Sequence, residues 1–182
     1  MGSDTIGNYD YIPDTFSTQS KLFLTTHQRD LLTYWKRCGM LSDYVGAYFT
    51  FPPDKKYFSD LSVILNELVE NAAKFSIHDS AEIRIDIRNY GAVICLEVTN
   101  TLTKNSLANL KEVSARLFES DSSPEELYFK TLETKNSEDP SSGLGFLMIL
   151  KDFTSKVGFK FTEKGEERTV TTRVYFFLNM DE

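Results

Sequence analysis

The chain has 182 residues, a formal net charge of -7, 41% hydrophobic and 13% aromatic residues, enough for one domain around one sizeable core. Its cations are scattered, which argues against a nucleic-acid footprint and against an anionic membrane surface, and no apolar run approaches the ~20 residues of a membrane-spanning helix. Cys38 and Cys95 form no C-x-x-C pair and read as buried thiols in a reducing, cytoplasmic compartment.

The polar start, MGSDTIGNYD, does not read as a signal peptide. Residues 1–20, rich in Ser, Thr and Asp with scattered aromatics, read as a loose arm. KLFLTTH (Lys21 to His27) is predicted as a short strand. QRDLLTYWKRCG follows as a helix with Leu31, Leu32 and Trp35 on one face and Gly39 just past its end. LSDYVGAYFTF is predicted as a second helix opened by Ser42 or Asp43. Pro52 and Pro53 then break the chain before a long helix. After it, AEIRIDIRN alternates Ile83, Ile85 and Ile87 against Glu82, Arg84, Asp86 and Arg88, the pattern of a strand with one wet face. YGA is the turn and VICLEVTN, ending at Asn100, the partner strand. NSLANLKEVSARLF is predicted helical, capped by Asn105 or Ser106. SPEELYFKTLETK follows as a helix with Ser123 as N-cap and Pro124 at its first position. NSEDPSS is a polar loop, GLGFLMILKDFTSK a helix opened by glycine, and VGFKFTEKG with RTVTTRVYFFL a closing hairpin across Gly165. Residues 1–55 thus form an N-terminal arm and helices packed on a core that residues 56–182 supply, in one compact unit.

LSVILNELVENAAKFS, Leu61 to Ser76, carries the first chemical signal. At ~100° per residue, Leu61, Ile64, Leu65, Leu68, Val69, Ala72 and Phe75 share one broad face. Glu67, Asn71 and Lys74 form the opposite stripe, with Glu70 beside it. Glu67 and Asn71 sit one turn apart, ~6 Å along the axis. A solvated face with a Glu70–Lys74 ion pair accounts for part of this. Asn, however, is a poor mid-helix residue because its side chain competes for backbone groups. A carboxylate one turn from an amide can orient or deprotonate an attacking group while the amide oxygen ligates a hard cation such as Mg²⁺. The second signal is SSGLGFLMI, where Gly143 and Gly145 open an apolar helix. The bland account is a turn into a core helix; the sharper one is a backbone that lets an anion approach the free N–H groups of a helix N-terminus.

A helix with E-x-x-x-N, two strands, a variable helical segment, G-L-G opening a helix and a terminal hairpin together resemble the ATP-binding domain of the GHKL (Bergerat-fold) superfamily. ELVENAAKFS is similar to its N-box and GLGFLMI to its second glycine box, and the resemblance spans about residues 57–178. It implies an α/β (α+β) two-layer sandwich, a histidine-kinase-like ATPase domain whose mixed, mostly antiparallel sheet is covered on one face by helices. The layout is closest to the anti-sigma-factor serine kinases and the related kinases of STAS-domain partners. On that resemblance Glu67 is the general base or the group that positions the attacking water or hydroxyl, and Asn71 holds Mg²⁺ bridging the phosphates of ATP. Lys74 reaches a phosphate, Gly143 and Gly145 cradle the phosphates, and Leu144 and Phe146 supply backbone amides. The partner is a small signalling protein, a STAS-domain antagonist or a sigma factor, and a homodimer is compatible with the family.

One motif departs from the pattern. The first glycine box, D-x-G-x-G, is replaced by EVTNTLTKNSL, with no glycine between Gly91 and Gly143. Asn100 stands where an adenine-reading Asp is expected; its oxygen can accept from the adenine amino group, but its NH₂ can equally repel it. Two readings therefore stand: an ATP- and Mg²⁺-dependent serine/threonine kinase, and a degenerate domain serving as a protein-interaction module. The aromatics Tyr9, Tyr11, Phe16, Tyr90, Tyr175, Phe176 and Phe177 fit either sheet packing or a partner surface.

Overall fold

The alternation of Ile83, Ile85 and Ile87 with charged residues sets the architecture. In the computed structural model, which describes residues 2–13, 17–50, 55–78, 80–134 and 143–178, all three isoleucines are fully buried. They lie on strand β3 (Glu82–Asn89). Six strands form one sheet in the order β1-β5-β6-β4-β3-β2, with β1 at Gly2–Gly7, β2 at Ser20–His27, β4 at Val93–Thr101, β5 at Ser155–Lys164 and β6 at Glu167–Phe177. Every pairing is antiparallel, the antiparallel limit of the mixed, mostly antiparallel sheet expected. The predicted strands from KLFLTTH to the closing hairpin all form, and Gly165 makes the last turn at positive φ.

Helices cover one face, giving the α+β two-layer sandwich. They are α1 (Gln28–Thr33), α2 (Lys36–Phe49), α3 (Lys55–Phe75), α4 (Lys104–Glu119), α5 (Pro124–Thr134) and α6 (Leu144–Asp152). Helix α3 is the centre of the layer: Leu61, Ile64, Leu65, Leu68, Val69 and Ala72 are buried, and Phe75 is half-buried against the same core. Ser123 caps α5 as expected, accepting from Glu126 N–H while the Glu126 carboxylate accepts from Ser123 N–H, a reciprocal capping box.

Five expectations are corrected. The stretch from residue 28 to 39 is not one helix ending at Gly39. The chain breaks at Tyr34, whose backbone is non-helical, and α2 runs through Gly39 to Phe49. A mid-helix glycine costs about 1 kcal/mol, which packing of Cys38, Val45 and Phe49 readily offsets. Leu32 is then exposed while Leu31 is buried, so they do not share a face. Ser42 lies inside α2, its hydroxyl donating to Cys38 O at 2.8 Å, and opens nothing. Helix α4 is capped not by Asn105 or Ser106 but by Thr103, whose hydroxyl accepts from Ser106 N–H at 3.0 Å. Finally, residues 2–7 of the supposed loose arm are β1, paired along β5 from Gly2 opposite Glu163 to Gly7 opposite Gly158. The expectations on Phe16, on Pro52 and Pro53 and on NSEDPSS lie outside the described residues.

The opposite face of the sheet carries a charge ladder rather than helices. Lys21 pairs with Asp86 at 3.0 Å, Arg88 with Asp86 at 2.9 Å and with Glu97 at 3.6 Å, and Arg173 with Glu97. Tyr9 is buried, as are Tyr175 and Phe176, and Tyr11 stands edge-on to Tyr175 and Phe177. These aromatics take the sheet-packing reading. No helix among the described residues is long and apolar enough to cross a membrane.

Candidate functional site

Helix α6 starts against α3, and the contact is made where the two sequence signals lie. A Cβ built on Gly145 would overlap the Glu67 carboxylate and stand 3.5 Å from Asn71 Nδ2. The E-x-x-x-N stripe therefore faces the first turn of α6, where backbone N–H groups have no intrahelical partner. Leu147 N–H makes the first helical bond, to Gly143 O at 3.1 Å. Gly143 is the N-cap, in the left-handed region at φ 73°. A Cβ there would lie 2.6 Å from Val113 Cγ1 and 3.5 Å from an amino group of Arg116. Gly143 is thus required by its positive φ and its close approach to α4, whereas at Gly145 the close approach is to the movable end of the Glu67 side chain on α3.

Glu67 and Asn71 are half-buried. Burial pushes the Glu67 carboxyl above the ordinary glutamate range, repulsion from Glu70 adds to the rise, and Lys74 partly offsets it. A raised folded-state value means the native state holds the proton more tightly than the unfolded chain does. The ionised carboxylate consequently lowers stability at pH 7 and stops doing so as pH falls through its titration towards the ordinary value of 4.5. Glu67→Gln is expected to raise the melting temperature at pH 7 to 8, the gain shrinking in acid. A pH-independent difference between the two proteins' melting curves would contradict that environment.

Lys74 is not turned into the site. Its ammonium pairs with Glu70 at 3.3 Å and stands 5.3 Å from the centre of the Trp35 ring, and Glu70 also accepts from Asn66 at 2.8 Å. Asn100 is 5% exposed, and its Nδ2 donates to Ser76 Oγ at 3.3 Å and Ala72 O at 3.4 Å. Its amide is thus held on the end of α3. Asn71 and Asn100 share a cavity with Leu110, Phe146 and Thr172, and its volume is about 20 Å³, room for roughly one water. Phe146 lines this space, and its ring stands perpendicular to Phe159 at 5.0 Å. Leu144 follows Gly143 as the first helical residue.

Glu67, Asn71, Gly143, Gly145, Phe146 and Asn100 are thus brought to one place between α3, α6 and the end of β4, and Lys74 is set apart. Arg116 is the residue that the sequence pattern missed. It lies in the last turn of α4, where a basic residue reads simply as a favourable dipole partner; only the tertiary contact with Gly143 brings it to α6. Among the described residues no cluster of three His, Cys, Asp or Glu side chains could hold a metal. An ion at Asn71 would depend on phosphate oxygens and water for its remaining ligands, the usual habit of Mg²⁺. No family model matches the chain, and no curated protein matches it.

Proposed function

We infer that this protein binds ATP with Mg²⁺ and transfers phosphate to a serine or threonine hydroxyl of a small signalling protein, in the manner of the GHKL anti-sigma-factor and STAS-partner kinases, in the cytoplasm. The observation that carries this reading is the Glu67–Asn71 pair set against a helix start where a Cβ at Gly145 would overlap the Glu67 carboxylate. Phosphoryl transfer asks chiefly for positioning and charge neutralisation. Asn71 would hold the metal, the α6 amides and Arg116 would bind the phosphates, and Glu67, whose raised affinity for a proton suits a base, would take the proton of the attacking hydroxyl. The bound nucleotide supplies the phosphoryl group and the metal neutralises its charge. Met40, 70% exposed, with Tyr44 and Tyr48 at four-residue spacing on α2, offers the residue types that anchor protein partners.

A second reading rests on the cavity beside Asn100. At about 20 Å³ it is far below the ~300 Å³ of small-molecule sites, and the Asn100 amide is already bonded to α3. This favours a domain that has given up strong adenine binding and acts as a protein-interaction module. Calorimetric titration with ATP and Mg²⁺ separates the two. Micromolar binding by the wild type, lost in Asn71→Ala, is the expected result. Binding that survives in Asn71→Ala would remove Asn71 from the site, and no heat at millimolar ATP would leave the interaction module as the function.

A further inference from the structure

We propose that the sheet face opposite the helices holds a second binding site, for a small organic anion with one carboxylate or phosphate group and a short apolar body. A cavity of about 230 Å³ lies there between the N-terminal segment and strands β3, β4 and β6. Arg88, Arg173, Tyr90, Tyr175, Tyr11 and Thr18 line it, with Cys95 at its floor. Among the described residues the lining carries two guanidinium groups and no carboxylate, in a chain whose net charge is -7.

The carboxylates that belong to these arginines stand behind the cavity. Asp86 and Glu97 face each other across β3 and β4, two residues along from the Arg88–Cys95 pair. They hold the guanidiniums as ion pairs without occupying the cavity. Asp86 and Glu97 match Arg88 and Arg173 in charge, and Lys21, which also pairs with Asp86, lies outside the cavity. Arg173 donates to Tyr9 O at 2.7 Å and to Tyr175 Oη at 3.0 Å, which fixes its plane. Its Nε lies out of reach of solvent, beside Asp86 Oδ1 and Glu97 Oε1, and like them makes no hydrogen bond. Two arginines at fixed positions recognise a carboxylate or phosphate by charge-assisted hydrogen bonds.

The rest of the cavity sets the size and polarity of the ligand. Tyr11, Ile12 and Pro13 form an apolar wall, and Tyr175 Oη donates to Tyr11 O at 2.6 Å, tying that wall to the sheet. Lys156 lies 3.8 Å from the centre of the Tyr11 ring, adding a further cation at the rim. The volume is below the ~300–1,000 Å³ range of drug-sized sites, so the ligand is a small metabolite rather than a nucleotide. The site is on the other face of the sheet from Glu67 and Asn71, and it stands whether or not the protein binds ATP.

The test is a titration of the full chain labelled with ¹⁵N-arginine, following the Nε–H signals of Arg88 and Arg173. Benzoate and phenyl phosphate are the probes, and benzyl alcohol is the neutral control. Saturating shifts of these two signals with at least one anion are expected, and which anion acts identifies the head group. Arg88→Gln should weaken that binding about tenfold or more, the loss of a charge-assisted bond. Thr18→Glu, which places a carboxylate at the rim without touching the ion pairs, should weaken it too and serves if Arg88→Gln does not fold. Non-saturating response to both anions, an equal response to benzyl alcohol, or unchanged binding in the folded variants would overturn the proposal.

Discussion

Alanine at Gly158 should destabilise the protein by about 3 kcal/mol, the upper range for a side chain forced into packed surroundings. Gly158 lies on β5 opposite Gly7, where the chain leaves β1 and turns across the sheet. A Cβ there would fall on the backbone of Tyr9, 2.7 Å from the Asn8 carbonyl carbon. Backbone cannot swing aside as a side-chain end can. The crossing chain must lift, and with it go the Asn8 N–H bond to Val157 O at 2.9 Å and the Arg173 bond to Tyr9 O. The helical layer keeps its own core and should remain folded. Urea unfolding should therefore show a lower midpoint, and limited proteolysis should release the N-terminal residues first. An unchanged midpoint with a protected N-terminus would mean that the chain does not cross at Gly158.

That crossing was not legible in the sequence, and the reason is physical. GSDTIG has little of the β-branched and aromatic content that marks a strand, and the partner of β1 lies more than 150 residues away, with Gly2 opposite Glu163. Its order comes from backbone pairing and from Tyr9 and Tyr11 docking on the sheet, which no local pattern records. The elements that were legible are those in which one face decides the pattern: α3 by its 3.6-residue apolar period, and β3 by alternating isoleucines. The break at Tyr34 went unread because helix propensity continues through it, and only the packing of α2 on α3 sets where the chain turns. The site divides the same way. Helical spacing placed Glu67 and Asn71 on one stripe, and glycine chemistry marked Gly143 and Gly145. That the two meet, that Arg116 joins them and that Lys74 faces Glu70 and Trp35 instead are tertiary facts.

Gly145→Ala should separate stability from function. The added methyl would enter the space held by the Glu67 carboxylate, the mobile end of a flexible side chain, and come within 3.5 Å of Asn71 Nδ2. Glu67 can rotate away at little cost, and alanine is the better helix former by about 1 kcal/mol. The melting temperature should therefore hold or rise slightly. On the kinase reading the consequence for activity is severe. The methyl stands between the carboxylate and the backbone that would cradle phosphate, and a displacement of about 1 Å in such a site lowers rate by about a hundredfold. Calorimetry with ATP and Mg²⁺, beside a thermal melt, reads both effects in one preparation. Lost binding with an intact melt would assign Gly145 to the site rather than to packing. Intact binding would show that the α6 backbone is not the cradle and that the close fit of Gly145 on Glu67 serves only to seat one helix on another. The contrast with Gly158 is the useful one: an added Cβ collides at both positions, but at Gly158 the obstacle is backbone and the loss is of fold, whereas at Gly145 it is a movable carboxylate and, on the kinase reading, the loss is of chemistry.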